Sequence, residues 1–267
     1  MKGILFGVGV GPGDPELMTI KAVRLIREND IIALPGAKAE ETVAYKIAVQ
    51  AVPELAEKLL LPVPMPMTRD REEQARNHEV AAERIEKYLK QGKNVVFLTL
   101  GDPTIYSTYL YVQKRVQQKG YETKLVSGIP SFCAAAARAG VSLCEWQEQL
   151  HIVPAVHLKE KSSEEEKTSE AERTSEAEKT SEAERTSEAE RTFLAQGFFE
   201  LPGNYVLMKA GSRMQEIKDA IAQSGREVIM VENCGMPEEH VYYGVEKLPE
   251  QAGYYSLMIV KEGENRG

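Results

Sequence analysis

Three short turns carry the residues whose types and spacing suggest chemistry: Gly9-Val10-Gly11-Pro12-Gly13-Asp14, Gly101-Asp102-Pro103 and Ser127-Gly128-Ile129-Pro130-Ser131. Each combines small residues, which let a ligand reach the backbone, with a polar side chain. The second turn organises its surroundings. Val95–Leu100 is a continuous apolar, β-branched run that reads as a buried strand, and apolar residues resume at helical spacing after Pro103. Asp102 is placed to cap that helix, and Pro103 suits its first turn. In an open parallel sheet, small ligands bind in the crevice beyond the carboxyl ends of the strands. The turn therefore reads as half of a cofactor cradle.

Several chemistries fail on spacing. A dinucleotide fingerprint starting at Gly7 or Gly9 would place its last glycine at Pro12 or Asp14, and the acid expected after the next strand is replaced by Leu34-Pro35-Gly36. No Gly-Lys-Ser/Thr follows for a Walker loop. Ser131 has no evident His–acid partner for a triad and suits a turn or cap. His151 and His157 lack a cysteine or carboxylate at ligand spacing, so no metal site is expected. Cys133, Cys144 and Cys234 form no C-x-x-C pair and read as small core residues. Met65, Met67 and Met208 read as core or pocket filler.

A formal net charge of −8 argues against a nucleic-acid footprint, which requires a basic face. Much of that charge is local, since Lys159–Arg191 holds 12 acidic and 7 basic residues. No apolar run approaches a membrane span, and Met1 leads into a strand without a signal-like segment; the expectation is a cytoplasmic protein with no membrane partner.

The elements that must position the turns alternate. Strands are expected at Lys2–Val10, Asp30–Leu34, Lys58–Val63, Val95–Leu100 and Tyr121–Val126. Helices are expected from Asp14 to about Asn29, at Glu41–Ala51, Asp70–Gln91, Ser107–Lys119 and Cys133–Ala139. This alternation predicts an α/β domain with a mostly parallel sheet. The second half carries strands at His151–Ala155, Tyr205–Met208, Glu227–Glu232, Val241–Gly244 and Tyr254–Val260, with a helix near Arg213–Gln223. Fewer helices per strand predict a more antiparallel sheet there. The domain boundary is placed at residues 128/129.

Lys167–Glu190 is four copies of a hexapeptide, Lys/Arg-Thr-Ser-Glu-Ala-Glu. Its alanines never align on one helix face, and the unit is too short and polar to stack a core. The reading is an expanded surface insertion at about residues 160–192.

Taken together, Gly9–Leu17, Gly101–Pro103, Ser127–Ser131 and Val206-Leu207-Met208-Lys209 resemble the ordered signatures of the tetrapyrrole (corrin/porphyrin) methyltransferases. Leu34-Pro35-Gly36, Asp102–Tyr109, Ile129–Phe132, Glu232-Asn233-Cys234-Gly235 and Tyr254–Leu257 resemble the members that methylate C20 of precorrin-2 or cobalt-factor II. The resemblance covers nearly the whole chain except the repeat. It implies two α/β domains with a trough between them, S-adenosyl-L-methionine (S-adenosylmethionine) as cofactor, a tetrapyrrole substrate and a homodimer. Carried over by motif, Pro12, Gly101, Asp102, Thr104, Ile105, Ser131, Phe132, Met208 and Lys209 would line the cofactor site. Asp102 and then Tyr106 are the first candidates for a polar role near the methyl group or macrocycle. Asp102 acting as a cap alone stays open. So do methylation at another ring position or on a protein's modified histidine, and a non-catalytic binding role.

Overall fold

The computed structural model describes residues 2–66, 68, 70–155, 199 and 201–263. The chain divides into two compact units, Met1–Ala134 and Ala135–Gly267. The hexapeptide repeat, Met67 and His157 lie outside the described residues.

The first unit is built on a five-stranded parallel sheet of β1 (Leu5–Gly9), β2 (Ile31–Leu34), β3 (Leu59–Pro62), β4 (Val95–Thr99) and β5 (Thr123–Val126), in the order β3-β2-β4-β1-β5. Burial on both faces explains the unbroken apolar runs of β2 and β4. Alternate residues serve different helices. Val8, Ile32, Leu34, Val96 and Leu98 pack with α1 (Ile20–Glu28) and α2 (Val43–Ala51). Leu5, Ile31, Ala33, Val95 and Phe97 pack with α3 (Arg71–Leu89) and α4 (Tyr109–Gln118). The two helix pairs therefore cover opposite faces of the sheet.

Local chemistry sets the helix ends. Asp70 caps α3 through the N–H groups of Glu72 and Glu73. The helix expected from Asp14 is instead two pieces. Asp14 caps only a 3₁₀ turn, Pro15–Leu17, and Met18 then turns extended. Thr19 begins again, accepting the N–H of Ala22 to start α1. A second cap residue, five positions after the first, thus starts the longer helix.

Between α3 and α4, His78 lies stacked on Tyr111, with centroids 4.8 Å apart and planes 5° from parallel. Burial first, and the neighbouring Arg115 charge second, hold the imidazole below its ordinary pKa. Glu79 and Glu86 pair with Arg115 and Lys119 alongside.

The second unit holds a sheet in the order β6-β7-β10-β8-β9: β6 (Leu150–Pro154), β7 (Asn204–Met208), β8 (Glu227–Glu232), β9 (His240–Tyr243) and β10 (Ser256–Lys261). The β6–β7 pair is parallel and the other pairs are antiparallel. Helix α5 (Ser131–Ala139) crosses the division, and α6 (Met214–Ser224) buries Ile217 and Ile221 in the second core. Of the cysteines read as core residues only Cys234 is buried, whereas Cys133 and Cys144 are exposed. Cys133 falls on the outer side of α5, where helical spacing, not residue type, decides burial.

Candidate functional site

Strand β1 hands the chain to α1 on one face of its sheet, and its neighbour β4 hands the chain to α4 on the other. Their carboxyl ends therefore flank a topological switch point. Here Gly11 and Gly101 exchange two backbone hydrogen bonds, at 3.3 and 2.8 Å, which close an isolated bridge. The turn after β5 joins them. A Cβ placed on Gly128 would lie 2.1 Å from the Gly101 carbonyl oxygen, and one on Gly9 would lie 2.4 Å from it. Backbone thus packs on backbone across all three turns. Gly101 itself adopts φ +67°, yet the nearest atom to a Cβ there is 3.9 Å away. The knot is closed beneath Gly101 and open above it.

Asp102 ties the knot. Its Oδ1 accepts the Thr104 N–H at 2.7 Å and the Thr104 hydroxyl at 2.5 Å, and its Oδ2 accepts the buried Gly128 N–H at 3.0 Å. The expected helix cap is overturned, because no helix starts at Pro103 and α4 begins only at Tyr109. Residues 102–108 instead form a loop whose return is anchored by a 3.0 Å hydrogen bond between the Thr99 and Ser107 hydroxyls. Ser107 Oγ also accepts the Tyr109 N–H. Tyr109 fills the space beneath, fully buried against Phe97. Neither Thr99 nor Ser107 was singled out from sequence. The one available signal was Thr99 as the polar last residue of the otherwise apolar β4.

The predicted site residues fall as follows. Pro12 is buried next to Gly11, and Gly101 and Asp102 form the knot. Thr104 is exposed but held by Asp102, and the N–H of half-buried Ile105 reaches the Asp102 carbonyl at 3.3 Å. Tyr106 sits at φ 47° with 48% of its surface exposed. Ser131 and buried Phe132 open α5 just beyond Gly128. Met208 and Lys209 belong to the second unit, at the end of β7, where Lys209 takes a left-handed φ of 59°. Its Nζ stands 5.4 Å from the centroid of the Tyr254 ring. Among the described residues, no three His, Cys, Asp or Glu side chains are grouped to hold a metal, and no helix is long and apolar enough to cross a membrane.

A switch-point crevice lined by backbone, without a lysine or arginine in the knot, suits a ligand that carries no phosphate. The family model described as Tetrapyrrole (Corrin/Porphyrin) Methylases matches residues 5–249. A probable cobalt-precorrin-2 C(20)-methyltransferase of Methanocaldococcus jannaschii is 38% identical over 163 residues, 60% of this chain and 68% of that protein. The precorrin-2 C(20)-methyltransferase of a Sinorhizobium species is 28% identical over 276 residues, 99% of this chain and 97% of that protein. Among solved structures, the uroporphyrin-III C-methyltransferase of Thermus thermophilus in complex with S-adenosylhomocysteine shares the fold. Its TM-score is 0.62 at 18% identity, covering 97% of this chain and 98% of that one.

Proposed function

This chain belongs to the tetrapyrrole (corrin/porphyrin) methylase family, and from that premise we propose that it transfers a methyl group from S-adenosylmethionine to C20 of precorrin-2 or its cobalt form, in cobalamin biosynthesis. The observation that carries the reading is the convergence of Gly9, Gly101 and Gly128 at the switch point. It leaves a side-chain-free surface over Gly101 where a ligand can lie against the main chain. When bound, the cofactor supplies a methyl group on a sulfonium, an electrophile that needs no metal and leaves as a neutral thioether.

The protein's part is then placement. Asp102, with both carboxylate oxygens engaged, acts by fixing the Gly101 and Gly128 turns against each other. Pro12, Thr104, Ile105, Ser131 and Phe132, together with Met208 and Lys209 of the second unit, are the proposed cofactor contacts. Tyr106 is the group we assign to the acceptor. Its left-handed backbone costs about 1 kcal/mol, an outlay consistent with a side chain held for a ligand. The same reading makes the protein a cytoplasmic homodimer, which sedimentation of the purified chain checks for subunit number.

Incubation with methyl-labelled S-adenosylmethionine and precorrin-2, metal-free or cobalt-bearing, tests the activity. Label at C20 is expected; label at another carbon, or none in the macrocycle, overturns it.

A further inference from the structure

Three turns also meet within the second unit, at the end of its sheet that carries Lys209. Glu232, the last residue of β8, pairs in register with Ser256, the first residue of β10. Its Oε1 accepts the Gly253 N–H at 2.9 Å, and its Oε2 accepts the Tyr242 hydroxyl of β9 at 3.2 Å. Burial, and then the facing Glu232 carboxylate, raise the Tyr242 pKa. Two further bonds hold the same turn: Ser256 Oγ donates to the Gly253 carbonyl at 2.7 Å, and the Asn233 N–H donates to the Tyr255 carbonyl at 3.0 Å. From the far side Gly211 presses on it, since a Cβ there would sit 2.2 Å from the Ala252 carbonyl oxygen. Lys209 and Gly211 thus flank a turn whose exposed product is Tyr254, set edge-on to Tyr255 and beneath the Lys209 ammonium.

We infer that Glu232 is a positioning residue: its carboxylate clamps the Gly253 turn so that Tyr254 and Lys209 are presented together as one aromatic–cation contact for the cofactor. This rests on the methyl-transfer reading above and on Lys209 as a cofactor contact. The clamp acts before ligand arrives, so its contribution is preorganisation and appears in affinity. A partly exposed turn freed of one hydrogen bond remains folded, because water can take the vacated N–H. The chemical step, which depends on the placement of methyl and acceptor, is then nearly unchanged.

The full-length protein tests this. Titration of wild type with S-adenosylhomocysteine first examines the underlying reading, and absence of binding there would sink that reading and leave nothing for the clamp to act on. Given binding, Glu232→Ala is expected to weaken it about fivefold, the factor of one hydrogen bond, and to raise the KM for S-adenosylmethionine alike with kcat within about twofold. Glu232→Gln, which keeps an acceptor for Gly253, is expected to restore most of the affinity. In a double-mutant cycle, Glu232→Ala should add little on top of Tyr254→Leu, since both remove the same contact. Additive losses, unchanged affinity in Glu232→Ala, or a loss confined to kcat would each overturn the inference.

Discussion

The carboxylate of Asp102 accepts the N–H of Gly128 across 26 residues of sequence, in a buried 3.0 Å hydrogen bond that joins the turn after β4 to the turn after β5. Through it the loop that carries Thr104, Ile105 and Tyr106 is fastened to the start of α5. The side chain at the centre of the proposed site is therefore a fastener first.

Asp102→Asn should separate fastening from any direct chemical role. The amide keeps an oxygen for Thr104 but turns an NH₂ group toward the Gly128 N–H, leaving two donors face to face. A loss of about 2 kcal/mol in stability is expected, together with weaker cofactor binding. Urea unfolding and initial rates check it: unchanged stability with a collapsed kcat would favour direct participation, whereas the expected pattern is lower stability with a raised KM.

Alanine at two of the knot's glycines should give opposite phenotypes. Gly128→Ala drives a Cβ into the Gly101 carbonyl at 2.1 Å, which only backbone movement relieves, so a cost of about 3 kcal/mol or more is expected. Gly101→Ala meets open space and bears only its left-handed φ, about 1–2 kcal/mol. The second variant should fold yet lose affinity for S-adenosylhomocysteine, because the new methyl group occupies the ligand's side of the knot. Thermal melts with and without ligand distinguish the two.

His78 should give the fold an acid-sensitive limb. Its pKa is depressed in the folded state, by burial and then by Arg115, so the unfolded chain takes up the proton first as pH falls. Full stability is expected above pH about 6.5, with a progressive loss below it. His78→Phe keeps a ring against Tyr111 and removes the titration. The urea midpoint of wild type should therefore fall more steeply than that of the variant just below pH 6.5. Carboxylates such as Asp70, held low by the N–H groups of Glu73 and Glu72, act only in a more acidic range.

Removal of residues 164–191 should leave turnover within about twofold and the melting temperature nearly unchanged, as expected for a polar repeat with no core-forming face. Activity and calorimetry on the shortened chain check it. A folded product without turnover would give the repeat a role.

Much of this was legible in the sequence because burial writes itself into runs of residues. The unbroken apolar stretches of β2 and β4 announced a sheet covered on both faces, and the small-residue turns at Gly11, Gly101 and Gly128 marked the end at which a ligand is proposed. What misled was a local signature with a distant competitor. Asp followed by Pro caps a turn at Asp14, and Asp70 caps a full helix. At Asp102 the same chemistry serves a partner 26 residues on, which no window around Asp102 contains. Glu232 escaped for a similar reason: its partners, Tyr242 of β9 and Gly253 of the turn before β10, lie 10 and 21 residues on. Cys133 misled because type suggested burial while its place on α5 decided exposure.

Because Gly9, Gly101 and Gly128 leave no slack between their main chains, the three turns they belong to form one mechanical part. A side chain gained at Gly9 or Gly128 must shift the neighbouring turns as well, so a change at either position calls for concerted replacement. The outer surfaces of α1 to α4 are under no such coupling and are free to drift singly. Divergence in acceptor preference should therefore be sought in loops that leave the knot, such as residues 103–108, and not in the knot.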